Sequence, residues 1–170
     1  DPGAFDYSMS TDFGSTSGSL RQRYNGMVNI PLGENAAVRF VGNYRDEEGW
    51  FENTGTGQKD ADQLDEEGLR ASLRWLVNDN LTTTFSAIYQ KSEPEDVSLS
   101  VSRDNIGEGS TFKPQFSSTE FTALNLTIEY DLGWAELTSS TNAFDTDSVQ
   151  ENDLTSILAA TPFPFPWGMI

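Results

Sequence analysis

The chain has 170 residues, of which 27 are acidic and 10 basic, giving a formal net charge of -17, and it contains neither cysteine nor histidine. That composition leaves no disulfide framework, no histidine-activated nucleophile and no ordinary zinc site, and its negative charge argues against a nucleic-acid surface. No run approaches the ~18 apolar residues of a membrane helix; a membrane β-barrel stays open, because only alternate residues of its strands face lipid.

Residues 3–13 begin the ordered pattern: Phe5, Tyr7, Met9, Thr11 and Phe13 alternate with Asp6, Ser8, Ser10 and Asp12. Side chains along a strand point to opposite faces in turn, so this predicts a strand with one oily and one polar face. Residues 14–18, rich in Gly and Ser, predict a loop. In 21–32, Tyr24, Gly26, Val28 and Ile30 oppose Arg23, Asn25 and Asn29. A tight turn at 31–35 leads into 36–45, with Val38, Phe40, Gly42 and Tyr44 against Arg39, Asn43 and Arg45. After a long polar connection, 46–68, the strand 69–77 sets Leu69, Ala71, Leu73, Trp75 and Val77 against Arg70, Ser72 and Arg74. Asn78-Asp79-Asn80 is turn chemistry and makes an antiparallel hairpin with 81–90. There Leu81, Thr83, Phe85, Ala87 and Tyr89 oppose Thr82, Thr84, Ser86 and Gln90. A second long connection, 91–118, carries Pro94, Gly107, Gly109 and Pro114. In 119–130, Leu124, Leu126, Ile128 and Tyr130 oppose Asn125, Thr127 and Glu129. A turn at 131–133 gives 134–144, a weaker strand whose facing the alternation does not assign. Residues 145–170 form a third long connection that closes on an apolar run, PFPFPWGMI.

The expected fold is all-β, an antiparallel up-and-down meander of about seven strands. Its connections near 31–35, 78–80 and 131–133 are short, and those near 46–68, 91–118 and 145–170 are long; only the loop at 14–18 departs from the rule. Antiparallel neighbours reverse direction each time, so the short turns share one end and the long loops the other, as in a transmembrane barrel. Strands of about ten residues suit a tilted bilayer span, whereas strands of soluble domains run nearer five or six. Tyr44 and Tyr89 fall near the long-loop end and Trp75, Tyr130 and Trp134 near the short-turn end, the expected pair of interface girdles. An odd number of strands leaves open edges that lipid cannot satisfy. The chain, which starts at Asp1-Pro2, is therefore expected to be a fragment of a large transmembrane β-barrel, with more strands beyond Ile170.

Two stretches carry a family resemblance. Residues 40–55, FVGNYRDEEGWFENTG, and 68–75, GLRASLRW, follow Ile30-Pro31-Leu32-Gly33 in order and at plausible spacing. They resemble the early barrel of TonB-dependent outer-membrane receptors. In that family a Pro-Leu turn precedes an Arg-containing strand (here Arg39), an acidic Asp-x-x-Gly-aromatic stretch (Asp46 to Trp50) and a strand closing in Arg-x-x-Leu-Arg-Trp (Arg70 to Trp75). Residues 1–5, DPGAF, resemble the hand-over from plug domain to first barrel strand. The likeness covers residues 1–90 well and 119–144 loosely. It implies a plugged barrel of the ~22-stranded type in the bacterial outer membrane, with the plug and the TonB-contacting box upstream of Asp1. It also implies a non-enzymatic active importer of a siderophore, cobalamin or saccharide, and it names no cofactor. The implied partners are outer-membrane lipid and lipopolysaccharide, TonB, and a small ligand such as a metal chelate.

Two constellations carry candidate chemistry. The connection 46–68 concentrates carboxylates, with Asp60, Asp62 and Asp65 as candidate calcium ligands; Asp60-Ala61-Asp62 begins like a calcium loop, but Gln63-Leu64-Asp65 lacks that loop's glycine and closing glutamate spacing, and a solvated, self-repelling loop is the favoured reading of the charge. Arg23, Arg39, Arg45, Arg70 and Arg74 all have the parity opposite the oily faces. In a barrel they would point inward, either to meet an anionic ligand or to pair with plug carboxylates, Glu129 or Glu136. Asn53–Lys59 only brushes against a phosphate loop and Gly107-Glu108-Gly109 against a dinucleotide turn. Residues 163–167, FPFPW, fit a ligand-touching loop tip or the approach to an eighth strand. Two other classes of protein remain: a plugless structural or adhesive barrel, and a soluble acidic β-domain that binds carbohydrate.

Overall fold

The computed structural model describes residues 3–96 and 107–155. The stretches 1–2, 97–106 and 156–170 lie outside them, including the apolar run at 163–167 and most of the third long connection. Seven long strands form one antiparallel sheet: β1 (Asp6–Thr16), β2 (Ser19–Pro31), β3 (Ala36–Glu47), β5 (Leu64–Asn78), β6 (Leu81–Pro94), β8 (Phe116–Asp131) and β9 (Glu136–Glu151). They are neighbours in strict chain order, an up-and-down meander. Two short strands, β4 (Glu52–Asn53) and β7 (Glu108–Gly109), pair in parallel within the long connections.

Most strands run further than the alternation predicts. β3 continues to Glu47 and β5 begins at Leu64, so much of the expected loop 46–68 is paired ladder. Most of the added residues are charged; Arg45 stands opposite Glu66, whereas Asp46 faces Asp65. The loop expected at 14–18 shrinks to Ser17 and Gly18, both at positive φ (53° and 98°). That is the backbone of a two-residue primed turn, whose twist matches the flanking strands.

The register lines up the two faces. One row crosses the sheet as Tyr7, Val28, Phe40, Ala71, Ala87, Leu124 and Ala143, and the adjacent row on the opposite face as Asp6, Asn29, Arg39, Ser72, Ser86, Asn125 and Asn142. This assigns the strand the sequence leaves open: Leu137, Thr141 and Ala143 of β9 share the oily face. Phe144 lies on the polar one, its ring 6.3 Å from that of Phe121.

Burial is inverted relative to an ordinary half-buried sheet. On the oily face Phe40, Leu73, Phe85 and Leu126 keep 41%, 38%, 44% and 39% of their surface exposed, while Asn29 and Ser86 on the polar face keep 2% each. Among the described residues the only buried hydrophobics are Ala37, Phe51 and Ala61, and Ala37 is itself on the polar face. Among the described residues no second layer covers the oily side, although apolar faces in water-soluble domains are packed between layers. The chain exposes 12023 Å², where a compact monomer of 18.8 kDa would expose about 8,300 Å².

Candidate functional site

At the long-loop end the connections are tied into one body. Asp62 Oδ1 accepts the amides of Trp50 and Phe51 at 2.7 Å each, and the Ala61 amide donates to the Phe51 carbonyl, folding the 48–63 loop back on itself around buried Phe51 and Ala61. The β4–β7 pairing then joins this loop to the next. Asn53 sits at the junction with no exposed surface. Its Nδ2 donates to Asp96 Oδ2 at 2.7 Å and to Thr111 Oγ1 at 2.5 Å, and its Oδ1 accepts the Thr111 amide at 3.1 Å. Gln115 Nε2 reaches the other oxygen of Asp96 at 3.0 Å. The stretch after β9 joins as well, because Asp153 accepts from the Phe112 and Lys113 amides and its own amide donates to Gln115 Oε1. Buried polar groups are costly unless satisfied, and here amides, a hydroxyl and a carboxylate satisfy one another.

The expected calcium ligands do not converge. Asp60 occupies a left-handed turn position (φ 54°), Asp62 uses Oδ1 on the loop's own amides, and Asp65 is a β5 residue opposite Asp46 and Glu93. Among the described residues no group of three or more acidic side chains forms a metal site.

The five arginines divide into two environments. Near the loops, Arg45 Nε meets Glu47 Oε1 at 2.7 Å and its Nη1 meets Glu66 Oε2 at 3.0 Å, while Arg23 is its cross-strand neighbour and also faces Asp12. Lower on the polar face, Arg39, Arg70 and Arg74 line a hollow of about 350 Å³ with Asn29, Ser72 and Thr84. Arg74 Nη2 is 3.9 Å from Glu129.

On the oily face Tyr44 and Tyr89 stand toward the loops, and Trp75 and Tyr130 toward the turns; Trp134, in the last turn, is 85% exposed. Tyr24 extends the loop-side belt, stacked on Tyr44 with centroids 6.4 Å apart, and Phe13 meets Tyr24 edge-on at 5.8 Å. Beside this stack Gly26 and Gly42 face each other and leave a dent of about 540 Å³, flanked by Met9 and Leu69.

No family model, curated protein or solved structure matches the chain.

The surfaces differ in their chemistry: one presents apolar side chains, one polar and cationic groups, and the loop body is a hydrogen-bonded platform at one end. The loop body is what reading the sequence misses. Asn53 stood out only as the start of an imperfect phosphate loop, and Asp96 and Gln115 carry no periodic signal at all.

Proposed function

We propose that this chain is part of the wall of a bacterial outer-membrane β-barrel, a TonB-dependent active transporter that imports a scarce nutrient such as a siderophore, a cobalamin or a saccharide. The observation that carries the reading is the inverted burial, with large apolar side chains exposed in register on one face and the buried residues of the sheet all on the polar face. Bulk hydrocarbon outside and a wet interior make that arrangement favourable, and water on both sides does not.

The dimensions agree. From Leu81 to Tyr89 the oily band of β6 spans eight steps of about 3.3 Å, about 26 Å along the strand, which a barrel tilt of about 40° reduces to about 20 Å, close to the ~25 Å apolar band of such barrels. Charged residues take over on the same face above it, with Glu67, Lys91, Glu120 and Asp147 in successive register. Among the described residues β1 and β9 each pair on one side only, and in the proposed barrel their other edges pair with further strands. Binding and gated passage, without covalent chemistry, is the proposed activity. A soluble carbohydrate-binding domain would need a second layer over the oily face, and the described residues supply none.

The test is made on the full-length protein in its host. It should fractionate with the outer membrane, need detergent for extraction and migrate differently before and after boiling. Deleting it, or TonB, should abolish accumulation of one labelled nutrient among an iron chelate, cobalamin and an oligosaccharide. Recovery as a monodisperse protein in plain buffer would overturn the membrane reading, and uptake unaffected by loss of TonB would overturn the energised one.

A further inference from the structure

We propose that the hollow around Arg39, Arg70 and Arg74 is a binding site for an organic carboxylate. The site stands on its own geometry and does not depend on the transport reading.

The register builds it. Arg39 of β3 faces Ser72 of β5, and Arg70 and Arg74 lie two residues to either side of Ser72. Both are therefore diagonal neighbours of Arg39, with backbones about 7–8 Å away. All three arginines are exposed, so water screens much of their mutual repulsion, and an anion lying among them would relieve the remainder. The chain has 27 carboxylates for 10 cations, yet no acidic residue lines this hollow. Among the described residues Arg39 and Arg70 make no ion pair, and Arg74 has only a long one, to Glu129. Arg45, on the same face, takes two carboxylates at 2.7 and 3.0 Å. Acid is plentiful, yet none of it lines the hollow, and Glu129 approaches only Arg74, at 3.9 Å.

The guanidiniums are also aimed. Arg39 donates through Nε to Asn29 Oδ1 and Arg70 through Nε to Ser72 Oγ, both at 3.3 Å. Neutral partners thus hold the inner edge of each group. The paired Nη nitrogens are left as a fork, the geometry that takes both oxygens of a carboxylate. Asn29 is 2% exposed and its Nδ2 donates to the Ala4 carbonyl at 2.7 Å, so the support for Arg39 is itself fixed. Ala37 and Val41 give the hollow an apolar wall, which suits a carbon-bearing anion better than a fully hydrated inorganic one. Its volume of about 350 Å³ is within the range of a small-molecule site.

The carboxylate can arrive on a diffusible solute or on a polypeptide segment seated against this face, and two arms of one experiment separate these sources. The full-length protein in detergent is titrated with succinate at constant ionic strength, with chloride as the reference, and its melting temperature is followed. Separately, p-benzoylphenylalanine at Val41 is photolysed and any captured peptide is sequenced. A succinate-specific rise, with half-saturation shifted about tenfold or more in Arg39→Gln/Arg70→Gln and less in Arg70→Gln alone, supports a solute site. No succinate response together with capture of a segment bearing Asp or Glu supports a seated polypeptide. The proposal is overturned by a response that chloride reproduces, by one that survives in the double variant, or by neither response nor acidic capture. Detergent dependence is scored separately, so a soluble protein with an intact carboxylate response would sink the membrane reading and leave this site standing.

Discussion

Asn53 Nδ2 donates to Asp96 Oδ2 at 2.7 Å although the two residues are 43 positions apart, and neither side chain reaches solvent appreciably. This bond closes the loop body at the end of the sheet: it fixes β4 against the segment leaving β6, and Gln115 adds a second side-chain donor to the carboxylate. Replacing Asn53 by Ala leaves Asp96 buried with one side-chain amide and strips Thr111 of two hydrogen bonds. An unsatisfied buried polar group costs about 1–3 kcal/mol, more when charged. The expected loss is local. Hydrogen exchange on the full-length variant should show 50–58 and 107–115 losing protection while β5 and β6 keep theirs; unchanged protection in the loops would contradict the account.

Two glycine substitutions should separate steric need from open space. A Cβ on Gly55 would run into the Thr111 carbonyl oxygen and Ser110 Oγ, so Gly55→Ala must push the loops apart. A Cβ on Gly26 meets nothing within 4 Å, and Ala loses less backbone freedom than Gly on entering a strand, by about 0.5–1 kcal/mol. Gly55→Ala should therefore speed proteolysis of the loop body in the full-length protein, and Gly26→Ala should leave it unchanged with an equal or slightly higher melting temperature. The reverse order would refute the packing described.

The loop body should also loosen in acid. Thr155, through its hydroxyl first and its amide next, and the Phe112 and Lys113 amides hold the Asp153 carboxyl down from its usual 3.8 to about 2. A depressed carboxyl stabilises fully above its ordinary value, and that contribution fades as pH falls from about 3.8 through about 2. Limited pepsin digestion at pH 4, 3 and 2 should show cleavage near Phe112 rising toward the lowest pH. Asp153→Asn should already be cleaved readily at pH 4; matching profiles for the two proteins would rule out this role.

The strands were legible because their residues obey a period of two that backbone geometry imposes, as in Phe5 to Phe13 and Leu69 to Val77. Their ends were not. Asp65, Glu66 and Glu67 look like loop in any hydropathy pattern, and they are held in the ladder by partners that only register reveals, such as Arg45 for Glu66. The facing of β9 was hidden for a related reason: Ser139, Thr141 and Asp145 stand on its oily side and Phe144 on its polar side, so composition alone points both ways. The arginines were found by parity, but parity could not divide paired Arg45 from the cluster at Arg39, Arg70 and Arg74. The Asn53 junction joins residues with no periodicity and large separation, and nothing short of the fold brings them together.

The central claim concerns which face meets hydrocarbon, and depth-dependent quenching tests it most directly. The 170 residues contain no cysteine, so a single cysteine introduced here is the one thiol of this stretch; with any thiol elsewhere in the full-length protein replaced, each variant is reconstituted in bilayers and labelled with a fluorophore that brominated acyl chains quench. Labels at Phe40, Leu73, Phe85 and Leu126 should be strongly quenched, and labels at Arg39, Arg74, Thr84 and Asn125 should remain bright. Equal quenching of the two sets, or the opposite ranking, would contradict the account.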